Sequence, residues 1–408
     1  MRCRILVGLI LASGCGGEGR SGDASAWRAE VDTVGDTVVV RTLAGSTWGA
    51  VELVEDLRIG VLEGADHEIF GEVAGLAVAG DGAMYVYDRQ VPALRKYGAD
   101  GSYLMTFGRR GGGPGEYENS DGGLAVLADG RVVLRDPGNA RMNVYAADGT
   151  PLTSWPIRGG AFTSVPIIPM ASGGFYNPVW TAREPMHLVR HAADGTAEDT
   201  LPLPRREVDR PTVTARRNGS SQTWPVPFTA SGLWALHPEG SLTGVSSEYA
   251  IDLVRRDGTV LRFGRSGVEP VPVPAAEREA ERERVTRGMR RLDPTWRWDG
   301  PAIPTTKSLI QALYAGADGR IWVLTHQPGE LVAEDGGAEV TDDPGPRFRE
   351  PIVFDVFEPD GRYLGQVRAP PGFSRWPQPT FRGETVWSTA RGDLGVQYVV
   401  RYRIGAAP

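Results

Sequence analysis

Histidine and cysteine, which often mark a metal site or a catalytic centre, are few in this 408-residue chain, with five His and two Cys. Its five histidines are scattered, and only His187 and His191 lie close together in the sequence. Side chains four residues apart lie on the same face of a β-strand, so this pair could contribute to a metal site. A polar strand surface explains the same spacing, and metal ligation needs a cluster of ligands. We therefore predict neither a metal site nor a cofactor.

Carboxylate and hydroxyl groups give no clearer indication of catalysis. Asp88, Asp136 and Asn139 could hold a calcium ion near the axis of a ring-shaped fold, but Asx turns at strand ends explain the same residue types. The sequence contains no Gly-x-Ser-x-Gly segment, which would mark a nucleophilic serine on a sharp turn. We assign no catalytic residue, and the sequence favours a non-enzymatic protein.

Two arginines and two tryptophans are the candidate ligand-binding residues. Arg109 and Arg110 lie within a glycine-rich stretch and could bind an anionic group, although surface salt bridges are the alternative. The stretch lacks the Lys-Ser/Thr pair of a phosphate-binding P-loop, and Pro114 interrupts it. Trp296 and Trp298 could stack on a sugar or a peptide, whereas packing against the fold is the alternative.

The composition favours turn-rich β structure as the scaffold for these residues. The chain has 54 Gly and 31 Pro, which together make up about a fifth of its residues, a high share for a helical protein. No apolar stretch is long enough to form a membrane-spanning helix. The formal net charge of −7 argues against nucleic acid as a partner, because phosphate binding needs a basic surface.

Internal repeats predict the architecture. Asp81-Gly82 and Asp100-Gly101 both recur 48 residues later, as Asp129-Gly130 and Asp148-Gly149. Asp-Gly between apolar runs predicts a hairpin with a type I′ turn, so each unit holds four short strands. Weaker units follow at Gly173-Gly174 with Asp194-Gly195, Glu239-Gly240 with Asp257-Gly258, and Asp318-Gly319 with Asp360-Gly361, and a partial unit begins at Thr385.

Four-stranded repeats of this length indicate an all-β, six-bladed β-propeller, with seven blades as the alternative. We expect the strand Thr37 to Thr42 to pair with the C-terminal strands and close the ring. Residues 274–292 are rich in helix-forming Ala, Glu and Arg and predict one inserted helix. This helix is either a solvated connector or an element that covers a site or docks a partner.

The N-terminus has the form of an export signal. Basic residues precede the apolar run Ile5 to Ala12, and small residues lead into Cys15. The segment resembles a bacterial lipobox, which implies cleavage before Cys15 and lipidation of its thiol; ordinary secretion is the alternative. We expect a signal peptide over 1–14, a flexible tether over 15–30 and the propeller over 31–408. Removing the signal leaves no second cysteine for a disulfide.

The repeats also resemble a known group. The segment 130–145 is similar to NHL-type repeats, and Phe107 to Tyr117 resembles a linker of exported six-bladed propeller lipoproteins of bacteria. The resemblance implies a fold and export rather than a reaction. We therefore expect a monomeric, membrane-anchored extracytoplasmic module that touches the membrane only through its lipid and binds a peptide, protein or carbohydrate. The alternative is a metal-dependent hydrolase or lyase, lactonase-like, with a site on the ring axis.

Overall fold

The computed structural model describes residues 26–157, 163, 165–181, 185–332, 347–392 and 394–406. Almost all of its regular structure is β, as predicted, and the strands form a β-propeller. In the part of the chain that the structure describes, antiparallel pairing groups the strands into six four-stranded sets, which we number blades 1 to 6; a short parallel pairing of Val51–Ile59 with Tyr363–Arg368 joins blades 5 and 6 into one sheet. Each of blades 1 to 4 is built from four consecutive strands of the chain, whereas in blade 5 the short strands Glu330–Leu331 and Phe348–Arg349 lie between the second and third blade strands.

The strands of blades 1 to 3, from the innermost outward, are Val73–Val78, Met84–Asp88, Ala93–Tyr97 and Tyr103–Phe107; Leu124–Val126, Val132–Asp136, Arg141–Tyr145 and Pro151–Pro156; and Ile168–Pro169, Phe175–Val179, His187–His191 and Ala197–Pro202. Those of blades 4 and 5 are Gly232–His237, Gly240–Val245, Ala250–Arg255 and Val260–Arg265; and Ile310–Ala315, Ile321–Thr325, Val353–Phe357 and Tyr363–Arg368. Blade 6 consists of Thr380–Arg382, Thr385–Arg391, Gln397–Ala406 and an N-terminal strand, Val51–Ile59.

The ring closes through a different strand from the predicted one. Three N-terminal strands precede blade 1: β1 (Arg28–Val34), β2 (Thr37–Ala44) and β3 (Val51–Ile59). β3 pairs antiparallel with the last strand of the chain and completes blade 6. β2, which contains the predicted closing segment Thr37 to Thr42, instead pairs in parallel with the outermost strand of blade 4. The prediction was wrong because two sheet edges, the outermost strand of blade 4 and the last strand of the chain, could each pair with an N-terminal strand.

The hairpin turns use the Asp-Gly pairs in a different way from the type I′ turn that we predicted. Gly82 has a φ of 87° and its N–H donates to the carbonyl of Ala79 at 3.0 Å, so the two central residues are Gly80 and Asp81. The Asp81 carboxylate accepts the N–H of Ala83 at 3.0 Å. This is a turn followed by a left-handed glycine, which explains why glycine is needed at the second position.

Apolar side chains fill the spaces between neighbouring blades. Tyr85 of blade 1 packs in one cluster with Leu134 of blade 2, and Leu253 of blade 4 packs with Val323 of blade 5. Another cluster joins blade 6 to blade 1 through Trp387 and Met84. Burying these faces against each other stabilises the blades, which individually have too little core.

Strand direction gives the ring two different faces. The Asp-Gly turns join the first to the second strand, or the third to the fourth, and all lie on one face, which we call the turn face. The connections between the second and third strands and between successive blades lie on the opposite face, which we call the loop face. The long insertions that the structure describes therefore lie on the loop face.

Two insertions on the loop face form a small helical module beside blade 4. A hairpin of Thr212–Arg217 and Ser220–Pro225 precedes blade 4, and helix α1 (Ala275–Arg290) follows it. This confirms the predicted inserted helix. Val285 and Met289 of α1 are buried against the hairpin with Val213. No helix in the described ranges is both long and apolar enough to cross a membrane.

Candidate functional site

A polar pocket opens on the loop face where the innermost strands of blades 4 and 5 begin. Its volume is about 200 Å³. Ser231 immediately precedes the first strand of blade 4, and Ile310 and Gln311 begin that of blade 5. The other residues that line it are Arg210, Phe228, Thr229, Ser246, Ser308, His326 and Arg375. Because innermost strands surround the axis, the pocket lies near the centre of the ring.

Glu350 lies behind the pocket lining and contacts two of its residues, Gln311 and His326. Its carboxylate accepts the N–H of Gln327 at 2.8 Å and the Nε2–H of Gln311 at 2.8 Å. Nδ1 of His326 lies 3.0 Å from Oε2 of the same carboxylate, and Nζ of Lys307 lies 3.0 Å from Oε1. Burial alone would raise the pKa of Glu350, but its contacts with His326, Gln327 and Lys307 hold it below its usual range.

The orientation of His326 leaves one ring nitrogen for the pocket. His326 directly follows the second strand of blade 5, and that strand fixes its backbone position at the start of the connection that leads to Glu350. Nδ1 contacts Glu350, whereas Nε2 has no hydrogen-bond partner among the described residues. A carboxylate at Nδ1 fixes the tautomer with the proton on Nδ1, which leaves Nε2 as a hydrogen-bond acceptor. The imidazole can therefore exchange a proton with a bound molecule through Nε2.

A buried lysine joins the pocket to helix α1. The Lys307 side chain is fully buried, and its Nζ lies 2.7 Å from Oε1 of Glu277 on α1. Nζ also donates to the carbonyl of Gln327 at 3.0 Å and lies 5.3 Å from the centre of the Phe228 ring. An unpaired buried ammonium would be very unfavourable, so the two carboxylates are required partners of this lysine.

Two arginines line the pocket without an acidic partner. Nη1 of Arg375 donates to Oε1 of Gln311 at 3.1 Å, and Nε of Arg210 donates to Oγ1 of Thr229 at 3.3 Å. Within the described ranges neither guanidinium contacts a carboxylate, and the pocket lining includes no Asp or Glu. The pocket therefore presents positive charge and unused N–H donors.

A neighbouring cavity of about 180 Å³ differs from the pocket because its charged residues are paired. It shares Ser308 and His326 with the pocket and is lined by Arg265 and Asp355. Nη1 of Arg265 lies 2.7 Å from Oδ2 of Asp355, and the hydroxyl of Tyr363 donates to the same carboxylate at 2.8 Å. The charges of Arg265 and Asp355 neutralise each other, so this cavity has fewer charged groups free to bind a ligand than the pocket has.

The predicted ligand-binding arginines lie elsewhere on the loop face. Arg109 and Arg110 are in the connection between blades 1 and 2, and their side chains are 81% and 68% exposed. Nε of Arg109 lies 2.7 Å from Glu116, and Nη2 of Arg110 lies 3.0 Å from Glu118. Neither lines the pocket, and both form the surface salt bridges that we considered as the alternative. A role in binding stays a prediction.

The predicted tryptophans belong to the helical module. Trp296 is only 6% exposed, and its Nε1–H donates to the carbonyl of Thr214 at 3.1 Å. It therefore has no free ring face for a sugar or peptide, because it packs between the hairpin and α1. Trp298 is half-buried beside it, and its Nε1–H donates to the carbonyl of Gly300 at 3.0 Å.

The candidate metal ligands take part in structural contacts. The Asp88 carboxylate accepts N–H groups of Gly71 and Glu72, and that of Asp136 accepts the side-chain N–H of Asn139 at 2.7 Å. These contacts are of the kind expected for turns at strand ends. Among the described residues, no group of three or more His, Cys, Asp or Glu side chains is placed to hold a metal ion.

The histidine pair lies on the third strand of blade 3, where His191 is buried. Its ring stacks on Phe175 with the ring centres 4.7 Å apart, and Nδ1 lies 2.9 Å from the carbonyl oxygen of Gly195. Burial lowers the pKa of His191. His187 contacts the carbonyl of Pro185 instead. Cys15 and the predicted signal peptide lie outside the described residues.

The sequence alone did not reveal the pocket. Arg210, Arg375 and the pair His326 and Glu350 lie in three different connections, and no local pattern links them. Only the lysine count gave a signal, since Lys307 is one of two lysines in a chain otherwise rich in arginine. That signal indicates an unusual position but not its partners.

No family model matches this chain, and no curated protein matches it. Among solved structures, it is similar to a member of the DUF4221 family from Bacteroides vulgatus, with 9% identity, a TM-score of 0.47, and coverage of 88% of this chain and 99% of that one. A streptogramin B lyase has 12% identity, a TM-score of 0.41, and coverage of 88% and 100%. Regucalcin from Agrobacterium tumefaciens, described as calcium-binding, has 11% identity, a TM-score of 0.34, and coverage of 86% and 96%. Likenesses this distant carry no functional argument, and the propeller follows from the strand pairing of the chain itself.

Proposed function

We propose that this chain is an exported, lipid-anchored β-propeller that binds a ligand in the loop-face pocket. The pocket itself supports this proposal most directly, because it gathers hydrogen-bonding groups from several connections at one concave place near the axis. Concave sites with a few convergent polar groups are typical of ligand binding. The ligand is a peptide, a protein segment or a carbohydrate.

The pocket is polar and small for a complete drug-sized ligand. Its volume of about 200 Å³ is below the roughly 300–1,000 Å³ usual for such ligands. It therefore accepts a small molecule or the end of a larger one. Phe228 is the aromatic side chain in the lining, and the serine hydroxyls of Ser231, Ser246 and Ser308 can donate or accept hydrogen bonds.

A blocked pocket tests the binding proposal. The purified mature chain would be titrated by calorimetry with a panel of short peptides and oligosaccharides, in parallel with Ser308→Trp, which fills the pocket, and Asp129→Trp on the turn face as control. We expect a panel member to bind wild type and the control but not the blocked variant. The proposal fails if no panel member binds, or if the blocked variant, with an unchanged circular dichroism spectrum, binds equally well.

The proposed anchor rests on the sequence alone. Acylation of Cys15 would hold the propeller at a membrane without any protein segment entering the bilayer. Cells expressing wild type, Cys15→Ser or the control Cys3→Ser would be labelled with a radioactive fatty acid and fractionated. We expect label and membrane association in wild type and Cys3→Ser only. Unlabelled wild-type protein in the soluble fraction would refute the anchor.

The contact between His326 and Glu350 favours a second candidate function, acid–base catalysis by a hydrolase or lyase. Nε2 of His326 is available to the pocket, and Glu350 would stabilise the imidazolium formed when Nε2 takes up a proton. Mass spectrometry of any bound panel ligand distinguishes the two functions. An enzyme converts the ligand, and His326→Ala abolishes conversion while binding persists; a binding module returns the ligand unchanged.

A further inference from the structure

Hydrogen bonding fixes Arg375 in the pocket. Nε2 of Gln311 donates to Oε2 of Glu350 at 2.8 Å and to the carbonyl of Thr325 at 3.2 Å. The amide oxygen of Gln311 therefore faces away from Glu350 and accepts Nη1–H of Arg375 at 3.1 Å. Arg375 has no acidic partner within the described ranges. Glu350 thus orients the guanidinium through Gln311 without neutralising it directly.

Arg210 reaches the same pocket from the segment before blade 4. Its Nε donates to Thr229, and its two terminal nitrogens have no hydrogen-bond partner among the described residues. Partial burial lowers the pKa of Arg210. For comparison, burial alone would also lower the pKa of Arg265, but Asp355 outweighs that effect and raises it. Arg210 is a solvent-exposed residue whose partly covered guanidinium has no carboxylate partner in the described ranges.

The pocket lining contains cationic groups but no anionic group to balance them. The lining has two guanidinium groups, the free Nε2 of His326 and several hydroxyls, but no carboxylate. Arginine N–H groups match the oxygen atoms of carboxylates and phosphates in geometry and charge. The whole chain has a formal net charge of −7, so a cationic pocket would concentrate an anion at one place against the general repulsion.

We propose that the pocket binds an oxyanion group, a carboxylate or a phosphate, of a small ligand or of the end of a larger one, with Arg210 and Arg375 as its cationic contacts. This inference rests on the proposed ligand-binding function and specifies the ligand's chemistry. Gln311 and Glu350 act as positioning residues for Arg375. The hydroxyl of Ser308 is a neutral group of the lining that can donate a hydrogen bond to the oxyanion.

Calorimetric titration with defined anions tests the proposal. The mature chain would be titrated with inorganic phosphate in one series and with succinate in another, at low ionic strength. The same titrations on Arg210→Gln and Arg375→Gln remove one charge each, and Arg89→Gln removes an exposed arginine, paired with Glu72 on the same face, as a matched control. Arg375→Lys retains the charge but not the planar donor geometry.

We expect one anion to bind per chain and each pocket variant to weaken binding by about tenfold or more, the effect of losing one charge-assisted contact. Arg89→Gln should bind like wild type, and Arg375→Lys should bind between wild type and Arg375→Gln. The series that binds more tightly identifies the group as carboxylate or phosphate. Added salt should weaken binding.

Two outcomes would overturn the inference. The first is that neither probe binds wild type, and the second is that both glutamine variants bind as wild type does. Either failure can be separated from failure of the proposed function. If an uncharged panel ligand still loses binding in Ser308→Trp, the pocket binds a ligand but not through an oxyanion; if Ser308→Trp affects no ligand, the proposed function fails as well.

Discussion

Replacement of the buried Lys307 by methionine should strongly destabilise the fold. Methionine has a similar length but no charge, so Glu277 and Glu350 would stay buried without their shared cation. Their oxygens lie 2.7 and 3.0 Å from Nζ, and the lysine side chain has no exposed surface. Oε2 of Glu277 already lacks a hydrogen-bond partner in the described structure.

Removing one partner of a buried ion pair costs about 3–5 kcal/mol, because the remaining charge is uncompensated. At about 2 °C per kcal/mol, a value suited to a large domain, the Tm of Lys307→Met should fall by about 6–10 °C. Scanning calorimetry at pH 7 measures this shift. The other lysine, Lys96, provides the control: it is partly exposed and donates to one backbone carbonyl at 2.8 Å. Lys96→Met should cost less than about 1 kcal/mol.

A double variant distinguishes loss of charge balance from loss of packing. Adding Glu277→Gln to Lys307→Met removes one uncompensated carboxylate, so we expect recovery of about 1–3 kcal/mol. Glu350 would keep its contacts with His326, Gln311 and Gln327. Our reasoning is refuted if Lys307→Met melts within about 2 °C of Lys96→Met, or if the double variant is less stable than Lys307→Met alone.

Three further predictions concern the ring. Deletion of residues 28–44 removes β1 and β2 and should leave a soluble, less stable propeller. Deletion of residues 28–59 also removes β3, opens blade 6 and should prevent soluble expression. Equal expression of the two variants would contradict closure by β3. Burial lowers the pKa of His237, so this side chain stays neutral in the folded state at a pH where the unfolded state takes up a proton. The free energy of unfolding should therefore fall as the pH decreases from about 7 to about 5.5. His237→Gln should make the free energy of unfolding, measured by denaturation curves, depend less on pH. Both Gly130 and Gly195 have positive φ, but an added Cβ meets open space at Gly130 and the indole ring of Trp155 at Gly195. Gly195→Ala should therefore lower the Tm more than Gly130→Ala does. Equal Tm values for the two variants would exclude a steric role for the contact with Trp155.

The repeat units could be predicted because the turn chemistry is local. Asp81 contacts an N–H two residues away, and Gly82 supplies a backbone conformation that other residues avoid. The same local requirement recurs in successive blades, so the sequence displays the period directly. Helix α1 was predictable for the same reason, since its helix-forming residues and Glu–Arg spacing are contained in one segment.

The closure of the ring depends on which sheet edges meet. β2 and β3 are both plausible strands in sequence, and nothing in their residues shows that one joins blade 4 and the other blade 6. An edge strand pairs mainly through backbone groups, which are the same for every residue except proline. Only the assembled blades determine which edge is available to each strand.

The sequence by itself determined the propeller units, the inserted helix and the expectation of export, because each depends on residues close together in the chain. The tertiary structure alone decided the pocket. Arg210 and Arg375 are far apart in sequence, and Lys307 is paired with Glu277 from a different element. Long-range electrostatic pairing leaves no periodic pattern, because an ion pair requires only proximity in the folded chain and not a fixed spacing along it.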